Sequence, residues 1–367
     1  MAKIKILIID DSALVRKLLT DILSKHPQFE VVGSASDPIF ALKKIKRFSP
    51  DVLTLDIQMP KMDGLTFLKQ LMRTNPIPTI MFSSLTKKNA IETVQALEKG
   101  AFDIIEKPSN INQINDLKSE FADKIILAAQ SKKKLLQTKW KPSSVIKSNH
   151  DILQQSKMKE FSTRSQLLRS LPKLSDSISL IAIGASTGGT VAIASILSHL
   201  PINTPGVVIV QHMPAYFTAA FAARLNKNLP LEIQEAKDQE EIKRGHVYIA
   251  PGGFQCMVKL SKEGRLFLRV YEGETVNRHK PSVSVLFASV ASQVKEKAIG
   301  VILTGMGADG AEEMLQMKQA GSYNIAQDEE TSIVWGMPKR AIALKAENVV
   351  LPIDKIGNAI KFHLLKK

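Results

Sequence analysis

The chain has 367 residues and one cysteine, Cys256, which excludes an intramolecular disulfide and any zinc site built from several thiolates. Its seven histidines (His26, His150, His199, His212, His246, His279 and His363) show neither the i,i+4 spacing nor the CxxC-type pattern that metal sites use. No apolar run approaches the ~20 residues that cross a bilayer. The opening MAKIKILIIDD holds a short apolar run that meets two aspartates at once, too short for a secretory signal. The expectation is a cytoplasmic protein whose first strand starts at residue 4. No internal repeat is visible. What is present is a 44 % hydrophobic composition, enough for real cores, in a chain long enough for two or three domains.

Acidic residues are outnumbered, 35 against 50 Lys and Arg, leaving a net charge of +15. Such an excess invites a nucleic-acid reading, but it is unevenly spread. Between Ser131 and Ser177 eleven Lys and Arg face three Asp and Glu, so +8 of the +15 lies in one segment rich in Lys, Ser and Gln. Residues 126–178 are read as a solvated basic linker, whose alternative use is contact with an anionic surface such as a membrane face. A DNA-reading output would need a compact all-helical C-terminal domain. Residues 179–367 instead show several apolar strands with glycine-rich ends, and no DNA partner is expected.

Residues 1–125 alternate strand and helix patterns. KILII, FEVVGSAS, DVLTLDI, PTIMFSS and FDIIEKP read as strands. SALVRKLLTDILSKH, PIFALKKIKRF, GLTFLKQLMRT and NAIETVQALEKG read as helices, with a fifth running from about Asn112 into the 130s. Five βα units of this length make a doubly wound α/β domain with a parallel sheet. In an open parallel sheet, groups past the carboxyl ends of the strands share one crevice. Here Asp10 and Asp11 close strand one, Asp56 strand three, Ser83 strand four and Lys107 strand five. Carboxylates in one crevice repel unless a cation joins them, and an oxygen-only donor set suits Mg²⁺. A carboxylate held there can attack a phosphoryl group to give an acyl phosphate, with Lys107 neutralising its oxygens and the Ser83 hydroxyl bonding one of them. Together, DD at Asp10-Asp11, DIQMPKMDG around Asp56, Ser83 and Lys107-Pro108 resemble a response-regulator receiver domain. The resemblance implies that Asp56 is the phospho-acceptor, charged by a sensor histidine kinase. It also implies that Asp11, Asp56 and the Gln58 carbonyl bind Mg²⁺ with Asp10 assisting, and that Phe102 is the rotating aromatic of many receivers.

From Ser179 a second α/β pattern begins. SLIAIG, GVVIVQH, HVYIAPG, AIGVILTG and YNIAQ read as strands, TVAIASILSHL and AEEMLQMKQAG as helices, and FQCMVKL with RLFLRVY as an antiparallel hairpin turning at Lys262-Glu263-Gly264. A Rossmann-like parallel-sheet domain over 179–367 with a short hairpin is expected. The segment GASTG fits the G-x-S-x-G of a nucleophile elbow between strand and helix. Taken alone it could equally be a phosphate cradle at a helix N-terminus, although it carries neither G-x-G-x-x-G nor GK[ST], or a plain tight turn. Two more strand ends matter. His212 follows GVVIVQ, and Asp309 follows AIGVILTGMGA. Each alone has a structural reading, but together with Ser186 they supply a nucleophile, a base and a carboxylate to orient the base. The order Ser, His, Asp differs from the Ser, Asp, His of an α/β-hydrolase.

GASTGG, VQHMP, YIAPGG, NRHKPSV and ILTGMGADG resemble the catalytic domain of the chemotaxis protein-glutamate methylesterases, which also act as protein-glutamine glutaminases. With the receiver, the resemblance covers nearly the whole chain except residues 131–177. It implies phosphorylation-activated hydrolysis of glutamate γ-methyl esters, and deamidation of glutamines, on methylated chemoreceptors. Ser186 would be the nucleophile, His212 the base and Asp309 its orienting partner, with Thr187 and Met306 as suppliers of backbone N–H groups to the oxyanion. The ester chemistry needs no cofactor. An unphosphorylated receiver would cover the cleft, and the long basic linker would loosen that inhibition. Arg278, His279 and Lys280 are read as a basic rim for acidic receptor helices, His246 as structural and Cys256 as a small core residue.

Overall fold

The computed structural model describes residues 2–84, 86–108, 114–137, 174 and 177–365. The chain divides into two compact units, Met1–Pro142 and Ser143–Lys367. The first alternates β1 (Ile4–Ile9), α1 (Ala13–Leu23), β2 (Phe29–Ala35), α2 (Pro38–Phe48), β3 (Val52–Leu55), α3 (Gly64–Thr74), β4 (Thr79–Ser83), α4 (Lys87–Glu98), β5 (Asp103–Glu106) and α5 (Ile114–Gln137). Its five parallel strands lie in the order β2-β1-β3-β4-β5. The order reverses between β1 and β3, which opens a crevice beyond their carboxyl ends. Helices on both faces bury β3 and β4 completely, so these strands read as continuous apolar runs rather than alternating ones. Ser12, Asp37 and Asp63 start α1, α2 and α3 by accepting first-turn N–H groups on their side chains.

Helix α5 continues past 125, where the linker was expected to begin, to Gln137. Phe121, Ile125, Ala128 and Ser131 form a buried stripe at helical spacing. Lys132 Nζ adds an ion pair with Asp51 Oδ1 at 2.8 Å. The first twelve residues of the expected linker are thus part of the first unit, and most of the remainder lies outside the described residues.

The second unit holds β6 (Leu180–Ala185), α6 (Gly189–Leu197), β7 (Gly206–Gln211), α7 (Phe217–Asn228), β8 (Glu232–Glu235), β9 (His246–Ile249), β10 (Gln255–Leu260), β11 (Leu266–Tyr271), α8 (Val283–Gln293), β12 (Ala298–Ile302), α9 (Ala311–Gln319), β13 (Tyr323–Gln327), α10 (Met337–Ala343), β14 (Val349–Leu351) and α11 (Ile353–Leu365). Seven parallel strands run in the order β14-β13-β12-β6-β7-β9-β8. Strands β10 and β11 form the separate antiparallel hairpin, turning at Gly264 with φ +80°. Helix α8 escaped the sequence reading. Its VSVLFASVASQ is rich in valine and serine, which are mediocre helix formers. It is helical because Val283, Leu286, Phe287 and Val290, at i, i+3, i+4 and i+7, bury one face completely. Register pairs Ile302 with Gly184 and Ala185 with Gln211, so the residues that follow β12, β6 and β7 share one edge.

If residues 126–137 belong to the first core, Ala128→Asp buries an unpaired carboxylate and should lower the stability of the first unit by about 2–4 kcal/mol. Urea unfolding of the full chain, followed by a probe in the first unit, checks this. An unchanged midpoint would show that α5 does not pack beyond residue 125.

Candidate active site

Two groups of polar side chains stand at the carboxyl ends of the two sheets. In the first unit, Asp10 follows β1, Asp56 follows β3 and Lys107 follows β5. Lys107 Nζ lies 2.8 Å from Asp10 Oδ2 and 2.9 Å from Asp56 Oδ2. The exposed Asp11 adds a third carboxylate, and oxygens of all three lie within 4.8 Å of one another. Burial pushes the Asp56 pKa above the ordinary carboxylate value despite the pull of Lys107. Burial also pulls on Lys107, but its hydrogen bond to Asp10 and the attraction of Asp56 hold it above its usual value. One lysine against three carboxylates leaves net negative charge, and the donors are all oxygens, which fits Mg²⁺.

The remaining residues expected in this pocket fall differently. Ser83 ends β4 fully buried, its Oγ accepting from Thr93 Oγ1 at 3.3 Å. The Gln58 side chain turns to α4 and donates to Asn89 Oδ1 at 2.8 Å, leaving its backbone carbonyl as the group to consider for a metal. Phe102 is a correction. It is buried just before β5, with its N–H on the Thr79 carbonyl, whereas Lys107 follows the same strand. The length of β5 therefore separates Phe102 from the acidic pocket.

In the second unit, Ser186 follows the central strand β6, His212 follows its neighbour β7, and Asp309 lies in the loop after β12 on the other side. Backbone bonds lock the three ends together: His212 N–H donates to the Ala185 carbonyl at 3.1 Å, Ser186 N–H to Thr304 at 3.0 Å. The elbow needs its glycines. Gly188 has φ +81°, and a Cβ on Gly184 would sit 2.3 Å from Val283 Cγ1. His212 Nε2 lies 2.8 Å from Asp309 Oδ2, while its Nδ1 is buried and makes no hydrogen bond within the described residues. With Asp309 ionised, Nε2 carries the proton and Nδ1 keeps a free lone pair.

Asp309 is 2 % exposed and saturated with donors. Oδ1 accepts from Ser282 Oγ at 2.7 Å and Asn277 Nδ2 at 2.9 Å, and Oδ2 from Val283 N–H at 2.6 Å. Val283 and Ser284 open α8, so the carboxylate caps that helix from outside and gains from its dipole. Burial alone would raise the Asp309 pKa, but His212, Asn277 and Ser282 hold it far below the usual carboxylate range. Gly305, which precedes Met306, approaches so closely that a Cβ on it would lie 2.7 Å from Ser186 Cβ. Thr187 directly follows Ser186, its carbonyl held by Thr304 Oγ1 at 2.9 Å.

Sequence reasoning missed Gln211, Asn277 and Ser282. Gln211 is 3 % exposed, and its Nε2 donates to the carbonyls of both Ser186 (2.9 Å) and His212 (3.3 Å). A glutamine ending an otherwise apolar strand one residue before His212 was the available signal. His246 bonds the Arg244 carbonyl through Nδ1, and Cys256 is buried with its thiol pKa pushed up to about 12. Neither joins the site.

A family model described as CheB methylesterase matches residues 181–360, and one described as response regulator receiver domain matches residues 6–117. The protein-glutamate methylesterase/protein-glutamine glutaminase of Hydrogenovibrio crunogenus is 44 % identical over 380 residues, covering 100 % of each chain. The chain belongs to this family. A Saccharophagus degradans member named protein-glutamate methylesterase/protein-glutamine glutaminase 2 is 46 % identical over 368 residues, again covering 100 % of both. The crystal structure of the Thermotoga maritima CheB methylesterase catalytic domain is 40 % identical, spans 50 % of this chain and 97 % of its own, and superposes with a TM-score of 0.49. The family is one of carboxylic ester hydrolases with a receiver domain, and among the described residues no helix is long and apolar enough to cross a membrane.

The lowered Asp309 pKa fixes the sign of a pH effect. A carboxylate depressed on folding contributes stability above its unfolded pKa and loses it as pH falls towards the folded value. Asp309→Asn should therefore lower unfolding free energy by about 1–3 kcal/mol at pH 7, with the gap to wild type narrowing below about pH 4. Urea titrations across pH measure both. A deficit that stays constant into acid would show that the carboxylate charge is not what stabilises the site.

Proposed function

We propose that the protein hydrolyses glutamate γ-methyl esters on chemoreceptors, and deamidates glutamines at the same site, with activity raised by phosphorylation of Asp56. The observation that supports this best is the grouping of Ser186, His212 and Asp309 at the ends of adjacent strands, with His212 Nε2 bonded to Asp309 at 2.8 Å. In this reading Nδ1 is the basic atom. It takes the Ser186 proton as Oγ bonds the γ-carbonyl carbon, and the negative charge moves to the carbonyl oxygen. Backbone N–H groups of Thr187 and Met306 would hold that oxygen. The tetrahedral species collapses by breaking the C–OCH₃ bond, and His212 returns the proton to give methanol. Water then attacks the acyl-serine with Nδ1 again as base, releasing glutamate and restoring Ser186. A glutamine substrate loses ammonia in place of methanol. Asp309 stays ionised throughout, consistent with the donors that surround it.

In the first unit Asp56 would take a phosphoryl group from a sensor histidine kinase, with Lys107 and Ser83 engaging its oxygens. Asp10, Asp11, Asp56 and the Gln58 carbonyl would hold Mg²⁺, which when bound neutralises charge on the phosphoryl oxygens. The reading places the protein in the cytoplasm, where receptor signalling helices and the kinase are reached.

Methanol release from a methylated chemoreceptor, with and without Mg²⁺ and a small phosphodonor, tests both halves. Release should rise with the phosphodonor, and Asp56→Asn should lose the rise. Ser186→Ala should lower turnover by about 10³-fold or more with the fold intact. No release by folded wild type would overturn the esterase reading, and release indifferent to the phosphodonor would overturn the regulation.

A further inference from the structure

The NRHKPS segment stood out in the sequence as a basic rim, and the structure gives its histidine another job. We infer that His279 is a positioning residue for the base: its ring, stacked on His212, sets the plane in which the His212 imidazole offers Nδ1 to the nucleophile. The inference rests on the triad reading above. The two rings are nearly parallel, 11° apart, with centroids separated by 3.6 Å. The bond from His212 Nε2 to Asp309 fixes one atom of the ring but leaves the ring free to tilt about it. A second ring at van der Waals distance removes that freedom. Any large rotation about the His212 Cβ–Cγ bond would drive its edge into His279.

A brace is useful only if it is itself held, and His279 is. Val276 and His279 exchange backbone bonds of 3.1 and 2.9 Å around a two-residue turn. The central residues Asn277 and Arg278 have φ +52° and +68°. Positive φ at both centres marks a type I′ turn, in which asparagine suits the first position and glycine normally fills the second. Arg278 occupies the second position at a conformational cost, so the surroundings must over-determine the turn. They do. Gln255, 1 % exposed, donates from Nε2 to the carbonyls of Glu274 (2.9 Å) and His279 (3.1 Å), and its Oε1 accepts Ser282 N–H at 2.9 Å. From the same turn, Asn277 donates to Asp309. One short loop therefore touches both the base and the carboxylate that orients it, the first through a ring face and the second through an amide.

The test uses the full chain. His279→Ala removes the ring and His279→Phe keeps a flat face of similar size, with thermal melts to verify folding. His279→Gln serves as the ring-less variant should the alanine form not fold. Steady-state methanol release gives kcat and KM separately. The expected result is a kcat about 10- to 100-fold lower in the ring-less variant with KM within about threefold of wild type, and recovery of most of kcat by phenylalanine. Imidazole ¹⁵N spectra, assigned with His212→Gln, give a readout that needs no turnover. Wild type should show one sharp His212 ring signal set, and the ring-less variant a broadened or shifted set as the ring tilts about its bond to Asp309. A wild-type kcat in the ring-less variant, a loss confined to KM, a phenylalanine form as slow as the alanine one, or unchanged His212 ring signals would each overturn the inference. Wild type that releases no methanol would count against the esterase reading instead, and the comparison of His212 ring signals would still decide the stack.

Discussion

A carboxylate buried at 2 % exposure is the constraint around which the active end of the second unit is arranged. Removing a charge from water is unfavourable unless it is met by donors on all sides. Asp309 meets Val283 and Ser284 N–H, the Ser282 hydroxyl, the Asn277 amide and His212 Nε2. Those donors come from β7, the loop before α8 and α8 itself, so satisfying one side chain brings three parts of the chain to one point. Ser282 stands where a helix cap would, yet its hydroxyl caps nothing because Asp309 uses it. The approach of α8 then fixes the glycines. Val283 fills the space where a Cβ on Gly184 or on Gly310 would sit, 2.3 Å from either position. Gly184 opens the turn that carries Ser186, so the helix that satisfies the carboxylate also shapes that turn.

The two units place carboxylates at strand ends but treat them in opposite ways. Asp309 is depressed by an excess of donors and so stays charged, a fixed electrostatic anchor with no lone pair left for chemistry. Asp56 is raised by burial and is countered by a single lysine that it shares with Asp10. A carboxylate held with few donors can accept a further partner with little rebuilding of its surroundings. Environments that push two carboxylates apart in pKa assign them different roles. On the proposed reading, the saturated one orients His212 and the under-satisfied one takes the phosphoryl group.

What the sequence revealed and what it hid follow from the range of the interactions. Strand ends in a parallel sheet share one edge, so Asp10, Asp56 and Lys107, and likewise Ser186, His212 and Asp309, could be grouped from strand patterns alone. Helix α8 was missed because its valines favour strand and its serines favour caps and turns, and packing of its apolar face makes it helical. Gln211, Asn277 and Ser282 act through side-chain bonds to residues 25 to 32 positions away, for which no periodicity exists. Phe102 came from the resemblance alone, which carries no information about which end of β5 a residue occupies. A parallel strand puts its first and last neighbours at opposite edges of the sheet. The fifth helix was expected to run into the 130s and does, but its last turns were also counted as linker because the basic composition hid the buried Ala128 and Ser131.

The loop GMGADG shows why letters need their surroundings. It spells G-x-G-x-x-G between β12 and α9, the setting in which that pattern binds a dinucleotide phosphate at a helix N-terminus. Here the position before the last glycine is Asp309, and the first turn of α9 adds Glu312 and Glu313. Three carboxylates at that helix start oppose a phosphate that the dipole alone would favour. The glycines serve packing instead. Gly305 lets the chain pass beside Ser186 and the Met337 sulfur, and Gly310 admits Val283. The helix start that Asp309 does use is that of α8, where it is the anion. A site that supplies its own negative charge to a helix N-terminus is not arranged to receive a phosphate there, and on the proposed reading that charge, aimed at a histidine, makes the histidine a base.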